Sequence, residues 1–169
     1  IEYDGIDPGY LTATISFLAK IYQIKPDPRI KAIAQNSVEI CSFFSYPNGF
    51  FAGSMGSRNT LHFYSHGFEV FGKEIPLALS IAECMLMGLG QSKLVPPSIM
   101  SDRYVAYRVP EYLQSFIDYT ERKNKAPLLP YEKKIGKWYF PEAGIWSRKH
   151  KNIFIICNLA KGGVVKVFD

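Results

Sequence analysis

The sequence predicts an α+β multidomain chain in which helical hairpins precede an antiparallel β-sheet. Before residue 122, apolar residues recur at helical spacing, and proline follows a capping aspartate at two helix starts. After residue 134, short apolar runs alternate with turn-forming residues, which is typical of antiparallel strands. The intervening RKNKAPLLP has charge and two prolines but no periodicity. We therefore predict a helical region over 1–121, a linker over 122–134 and the first strands of a sheet domain over 135–169.

The helical region begins with a hairpin. Asp7-Pro8 and Asp27-Pro28 each combine an N-cap residue with proline at the first helical position. Because so few residues separate the first two helices, they must run antiparallel. A third helix is apolar almost all round, and Pro110 must start or kink a fourth. The predicted helices span residues 8–23, 28–44, 75–89 and 104–120.

The C-terminal region predicts a meander of four strands over residues 135–140, 144–148, 153–159 and 164–168. The run from Ile153 to Cys157 has apolar residues on both faces, so we expect a strand covered on both sides. Four short strands cannot bury it alone, and more β structure is expected beyond Asp169 or from a partner.

The ends of the sequence predict a fragment of a longer protein. The chain begins at Ile1 without an initiator methionine and stops at Asp169 inside a predicted strand. No signal peptide or membrane-spanning run is present, but a truncated start makes a missing signal uninformative. The sequence leaves the compartment and the oligomeric state undetermined.

Charge is distributed unevenly along the chain. Residues 1–121 carry 9 Lys and Arg against 12 Asp and Glu, or −3, whereas residues 122–169 carry 11 against 3, or +8. A basic C-terminal surface would attract polyanions, but no nucleic-acid-binding motif accompanies it, so we expect no nucleic-acid partner. Eleven tyrosines and twelve phenylalanines offer many rings of the kind that stack on sugars.

Cysteine and histidine spacing predicts neither a disulfide framework nor a metal site. The cysteines are three, far apart and in apolar contexts, so we expect buried thiols: Cys41, Cys84 and Cys157. His62 and His66 are four residues apart, but their neighbours are typical of a loop and only Glu69 could join them. No metal and no cofactor is predicted.

The segment from Tyr46 to Gly67 has no helical or strand periodicity and is the strongest candidate for a site. Loops of this length within a compact domain are often lids or binding loops. Its aromatic content and low charge are unlike those of disordered segments. Its polar residues predict the floor or lip of a binding site, although its aromatic residues would equally suit a core: Ser57, Arg58, Asn59, His62 and His66.

Three ordered motifs resemble the heparinase II/III-like family and its alginate-lyase relatives. They are Asp4-Gly5-x-Asp7-Pro8-Gly9-Tyr10, then Tyr46-Pro47-Asn48-Gly49 with Gly53 and Gly56-Ser57-Arg58-Asn59-Thr60, then Tyr139-Phe140-Pro141-Glu142-Ala143-Gly144-Ile145. The resemblance implies an incomplete (α/α) toroid followed by a β-sandwich, with a secreted or periplasmic location. It also implies that catalytic residues lie before Ile1, so that the fragment alone would be inactive.

The resemblance implies β-elimination on an acidic, uronate-containing polysaccharide. A base removes the proton α to the carboxylate, an acid protonates the leaving oxygen, and a cation or hydrogen-bond donor stabilises the carboxylate. Tyr10 matches the family's proton-handling tyrosine, and a free tyrosine titrating near pH ~10 would need a nearby cation. His66 is the second catalytic candidate. Substrate binding is assigned to Ser57, Arg58, Asn59 and His62.

Two other functions remain open. A glycoside hydrolase on an (α/α) barrel would need two carboxylates, for which Glu69, Asp4 and Asp7 are the candidates. A non-catalytic domain could hold a polyanion or carbohydrate through the basic C-terminal region.

Overall fold

The computed structural model describes residues 6–56, 59, 61–122 and 126–169. Within them the protein is α+β, with five α-helices followed by a four-stranded antiparallel sheet. The helices are α1 (Pro8–Ile24), α2 (Pro28–Ser42), α3 (His66–Gly72), α4 (Pro76–Gly90) and α5 (Asp102–Ile117). The strands are β1 (Ile135–Phe140), β2 (Ile145–His150), β3 (Ile153–Asn158) and β4 (Val164–Phe168), and they pair in chain order.

Local sequence signals set the starts of α1 and α2. The carboxylate of Asp7 accepts a hydrogen bond from the Tyr10 backbone N–H at 3.0 Å, and Pro8 occupies the first turn. Asp27 caps α2 in the same way through the Arg29 N–H at 2.8 Å. The predicted hairpin and the four strands are confirmed to within a few residues. Pro110 lies inside α5 rather than at a helix start.

Several residues in the first part of the Tyr46–Gly67 segment belong to the core. Tyr46, Phe51, Ala52 and Met55 are all fully buried. A tight turn begins the segment, with the Gly49 N–H bonded to the Tyr46 carbonyl at 3.0 Å. The segment also contains the start of α3 at His66, where no helix was predicted. Asn48 and Phe50 of the same stretch line an open cavity of about 380 Å³ beside Lys166, so residues 46–55 contribute both to the core and to a surface cavity.

The helices and the sheet share one hydrophobic core. Phe43, at the end of α2, makes edge-to-face contacts with Trp138 at 5.2 Å and Phe140 at 5.0 Å between ring centroids. Leu129 is buried in the same core although it lies in the predicted linker. The loop before α3 is also tied to the sheet, because the Asn158 amide donates to the Met55 carbonyl at 2.7 Å.

The described residues cover the inner face of the sheet and only part of its outer face. Phe154 and Ile156 of β3 point into the core, whereas on the other face Ile153 is exposed and Cys157 is buried. The second covering layer, expected beyond Asp169 or from a partner, stays a prediction. The predicted burial of all three cysteine thiols is confirmed.

Gly88 of α4 allows close contact with the Tyr46–Phe50 turn and provides a test of the packing. An alanine Cβ at Gly88 would lie 2.1 Å from the Gly49 carbonyl oxygen, whereas at Gly90 it would meet nothing within 4 Å. We expect Gly88→Ala to lower the free energy of unfolding by about 1–3 kcal/mol through overpacking. Gly90→Ala, the matched control, should leave it unchanged or raise it by up to about 1 kcal/mol. Urea unfolding of both variants checks this, and equal midpoints would contradict the close contact.

Candidate functional site

The residues just before α3 run alongside α1. The Tyr64 backbone N–H donates to the Thr12 hydroxyl at 3.2 Å. Gly67 approaches α1 so closely that a Cβ there would lie 2.7 Å from backbone atoms of Ile15. This contact holds Tyr64 between α1 and α5, where its ring lies edge-on to Phe17 with 6.5 Å between the centroids.

An open groove of about 500 Å³ lies between α1 and α5 at this point. Three aromatic side chains line it, together with the ammonium of Lys20 and the carboxylate of Glu111. Since Pro110 has no N–H, the carbonyl of Ala106, a residue of the groove wall, lacks its i+4 helical donor. The lining residues are Phe17, Lys20, Tyr64, Ala106, Tyr107, Pro110, Glu111 and Gln114.

A partly buried ion pair lines the groove. The Lys20 ammonium lies 2.5 Å from Glu111 Oε1, and the fully buried Ser16 hydroxyl donates to the same carboxylate at 2.7 Å. Glu111 itself is only 4% exposed. Its charge is therefore compensated by one cation and one hydroxyl within the protein.

His66 continues this network away from the groove. Its Nδ1 lies 3.2 Å from the Lys20 ammonium and its Nε2 lies 2.7 Å from Asp118 Oδ2. Because an ammonium can only donate, Nδ1 accepts and Nε2 carries the proton that is donated to Asp118. The hydrogen bond from His66 holds the pKa of the Asp118 carboxyl below its usual range. With both ring nitrogens bonded and 1% of its surface exposed, His66 does not face the groove.

The predicted site residues lie at three places. Tyr10 is 43% exposed on α1. It lies seven residues, or about two helical turns, before Phe17 and therefore on the same face of the helix. His62 stacks on Tyr104 of α5, with 4.7 Å between ring centroids, and burial and then the Arg108 charge lower its pKa. Asn59 is exposed beside Gly53, nearer to the sheet. Ser57 and Arg58 lie outside the described residues.

Carboxylates proposed for hydrolysis have structural partners. The carboxylate of Glu69 binds the Arg122 guanidinium at 2.7 Å and the Thr120 backbone N–H at 3.1 Å. Asp7 caps α1, and Asp4 lies outside the described residues.

Sequence reasoning missed Lys20, Glu111 and Arg108. Ser16 and Lys20 are four residues apart and therefore lie on one face of α1, and Arg108 and Glu111 have the corresponding spacing of three on α5. Charged residues on the apolar side of an amphipathic helix were the available signal. Periodicity alone does not show that these two faces meet.

A second cavity, of about 630 Å³, lies between α4 and α5 and is mainly apolar. Its walls include Phe63, Met85, Leu89 and Phe116. Glu69, the charged residue among its lining residues, is bound to Arg122, so this cavity offers no paired charges for catalysis.

Within the described ranges, no cluster of three histidine, cysteine or acidic side chains is arranged to hold a metal ion. None of the helices there combines the length and the apolar character needed to cross a bilayer. No protein-family model, no curated protein and no solved structure matches this chain, so the lyase resemblance is carried by its sequence motifs alone.

Proposed function

We propose that the protein cleaves a uronate-containing polysaccharide by β-elimination in the groove between α1 and α5. The observation that carries the proposal is that three aromatic side chains line one open groove. Aromatic rings offer flat apolar faces for sugar rings. The Lys20 ammonium beside them is paired with Glu111, so the positive charge for the uronate carboxylate is assigned to Arg58 in this proposal.

The proposed reaction needs a proton acceptor, a proton donor and a partner for the carboxylate. Loss of the proton α to the carboxylate leaves an electron pair that forms a carbon–carbon double bond as the glycosidic C–O bond breaks. Tyr10 is proposed as the proton-handling group because its side chain is accessible on the face of α1 that carries Phe17. Tyr64 is less suited as a base, since burial raises the pKa of its phenol.

The remaining predicted residues have binding or positioning roles in this proposal. Ser57, Arg58, Asn59 and His62 would contact the substrate. His66 would act through Lys20, because its Nδ1 accepts a hydrogen bond from the ammonium that lines the groove. It is therefore proposed as a positioning residue.

The finer architecture, an incomplete toroid and a β-sandwich, belongs to the same proposal. The outer face of the sheet supports it, because Ile135, Tyr139, Val165 and Val167 are exposed there. A second sheet packed on these side chains would make a sandwich.

Hydrolysis is less well supported than elimination. A glycosidase needs two carboxyl groups flanking the scissile bond. Glu111 is the one carboxylate that lines the groove within the described part of the chain, and it is bound to Lys20 and Ser16.

A polyanion-binding role without catalysis is the second candidate. Lys137 and Arg148 lie directly opposite each other on β1 and β2, and both are exposed. Like charges in such a cross-strand pair repel, and a bound polyanion would relieve the repulsion. This candidate places the ligand on the sheet rather than in the groove.

Incubation of the full-length protein with alginate, heparan sulfate and a neutral glucan distinguishes these functions, because the resemblance implies that residues 1–169 alone would be inactive. We expect ultraviolet absorbance from an unsaturated uronate product with at least one acidic polymer and none with the glucan. New reducing ends without that absorbance would indicate hydrolysis instead. Polymer binding without any cleavage, lost on raising the salt concentration and in Arg148→Ala, would favour the polyanion-binding role.

A further inference from the structure

Arg108 of α5 is a buried cation with unused hydrogen-bond donors. Its side chain is 1% exposed. Nη2 donates to the Phe63 carbonyl and lies 3.5 Å from the Tyr112 hydroxyl. Nε and Nη1 are buried and have no hydrogen-bond partner among the described residues. Three N–H groups of this guanidinium are therefore left for another acceptor.

The protein does not neutralise this charge within the described residues. The carboxylate closest along α5, that of Glu111, is bonded to Lys20 and Ser16. A guanidinium stays protonated at all ordinary pH values, so it cannot escape the cost of burial by losing its proton. A buried unpaired charge is unfavourable, and an unsatisfied buried group in a native structure often marks an ion or ligand position.

Tyr64 separates this guanidinium from the groove. The Arg108 guanidinium carbon lies 4.1 Å from the centroid of the Tyr64 ring, and the same tyrosine lines the groove. Tyr64 is part-exposed, so a rotation of its side chain would open one side of the guanidinium to the groove. The N–H donors of a guanidinium lie in its plane, so an oxygen-bearing anion entering there would have to reach the edge that carries Nε and Nη1.

We propose that Arg108 is an oxyanion-binding residue reached from the α1–α5 groove when the Tyr64 ring turns aside. The ligand chemistry is that of a carboxylate, sulfate or phosphate group, either as a free ion or on a carbohydrate. This site does not depend on β-elimination, because an inactive protein would bind the anion equally well.

Thermal unfolding and side-chain NMR of the whole protein test the proposal. Sodium sulfate, sodium phosphate and sodium glucuronate are compared with sodium chloride at equal ionic strength. At about 100 times the dissociation constant, we expect the melting temperature to rise by roughly 5–10 °C. Arg108→Met should abolish the rise. Arg103→Met, which removes an exposed arginine from the same helix, should retain it.

The Nε–H resonance of Arg108 keeps the test decisive if Arg108→Met does not fold. In the unaltered protein its chemical shift should change with anion concentration and reach a plateau. In Tyr64→Ala the plateau should be reached at a lower anion concentration. A similar response to sulfate and glucuronate would identify a free-anion site, whereas a response to a uronate oligosaccharide alone would identify a group on the polymer. No shift with any of these ligands, or an equal rise in melting temperature in Arg108→Met, would overturn the proposal.

Discussion

Replacement of Tyr10 by phenylalanine is expected to lower kcat/KM on the acidic polysaccharide by at least about 100-fold. General acid–base groups contribute roughly 10²–10⁴-fold to enzymatic rates, and the substitution removes only the hydroxyl that would carry the proton. The fold should survive, because Tyr10 is 43% exposed and its backbone N–H, which is unchanged, makes the cap contact with Asp7. Initial rates of product absorbance provide the measurement.

Tyr139→Phe is the matched control for this substitution. Tyr139 is 56% exposed on the outer face of the sheet, so the same atom is lost from a similarly exposed phenol that is not on α1. We expect full activity from the control and a melting temperature close to the parent value for both variants. Equal activity in Tyr10→Phe and the parent would remove Tyr10 from the mechanism, whatever polymer is cleaved.

The order and type of most elements could be predicted because their signals are local. Asp7-Pro8 and Asp27-Pro28 encode helix starts within two residues, and the hydrogen bonds that they predict are present. The strands of the meander are equally local, since each apolar run is bounded by turn residues. The toroid and sandwich could not be tested in this way, because they depend on layers outside the described residues.

Helix α3 escaped prediction because it is only seven residues long. A helix of two turns shows too little periodicity to stand out, and its stability comes from packing against α1 rather than from propensity. Glycine at position 67 was interpreted as a loop residue, but the structure uses its missing side chain to bring α3 onto Ile15. Such tertiary contacts have no signature in a short sequence window.

The candidate site was predictable in part. The segment around His62 to His66 does reach the groove through Tyr64, but His66 turns inward and Asn59 lies toward the sheet. The Lys20–Glu111 contact joins residues 91 positions apart. Nothing in the residue pattern of either helix specifies that α1 and α5 pack together at that register.

Replacement of Glu111 by alanine is expected to cost about 3 kcal/mol of unfolding free energy. Removal of one partner of a buried ion pair costs roughly 3–5 kcal/mol, and the lower end applies because the Lys20 side chain is 31% exposed and can partly reach water. The Ser16 hydroxyl would also lose its acceptor while remaining fully buried. Urea unfolding at neutral pH measures this loss.

Glu39→Ala, at an exposed glutamate of α2, should change stability by no more than about 0.5 kcal/mol and is the control. Adding Lys20→Met to Glu111→Ala should recover part of the loss, because the second substitution removes the unpaired ammonium. The same double variant also tests the proposed positioning role of His66, because His66 Nδ1 then has no ammonium from which to accept a hydrogen bond. A variant that regains stability but not activity would support that role. If Glu111→Ala is as stable as Glu39→Ala, the network around Glu111 does not stabilise the fold.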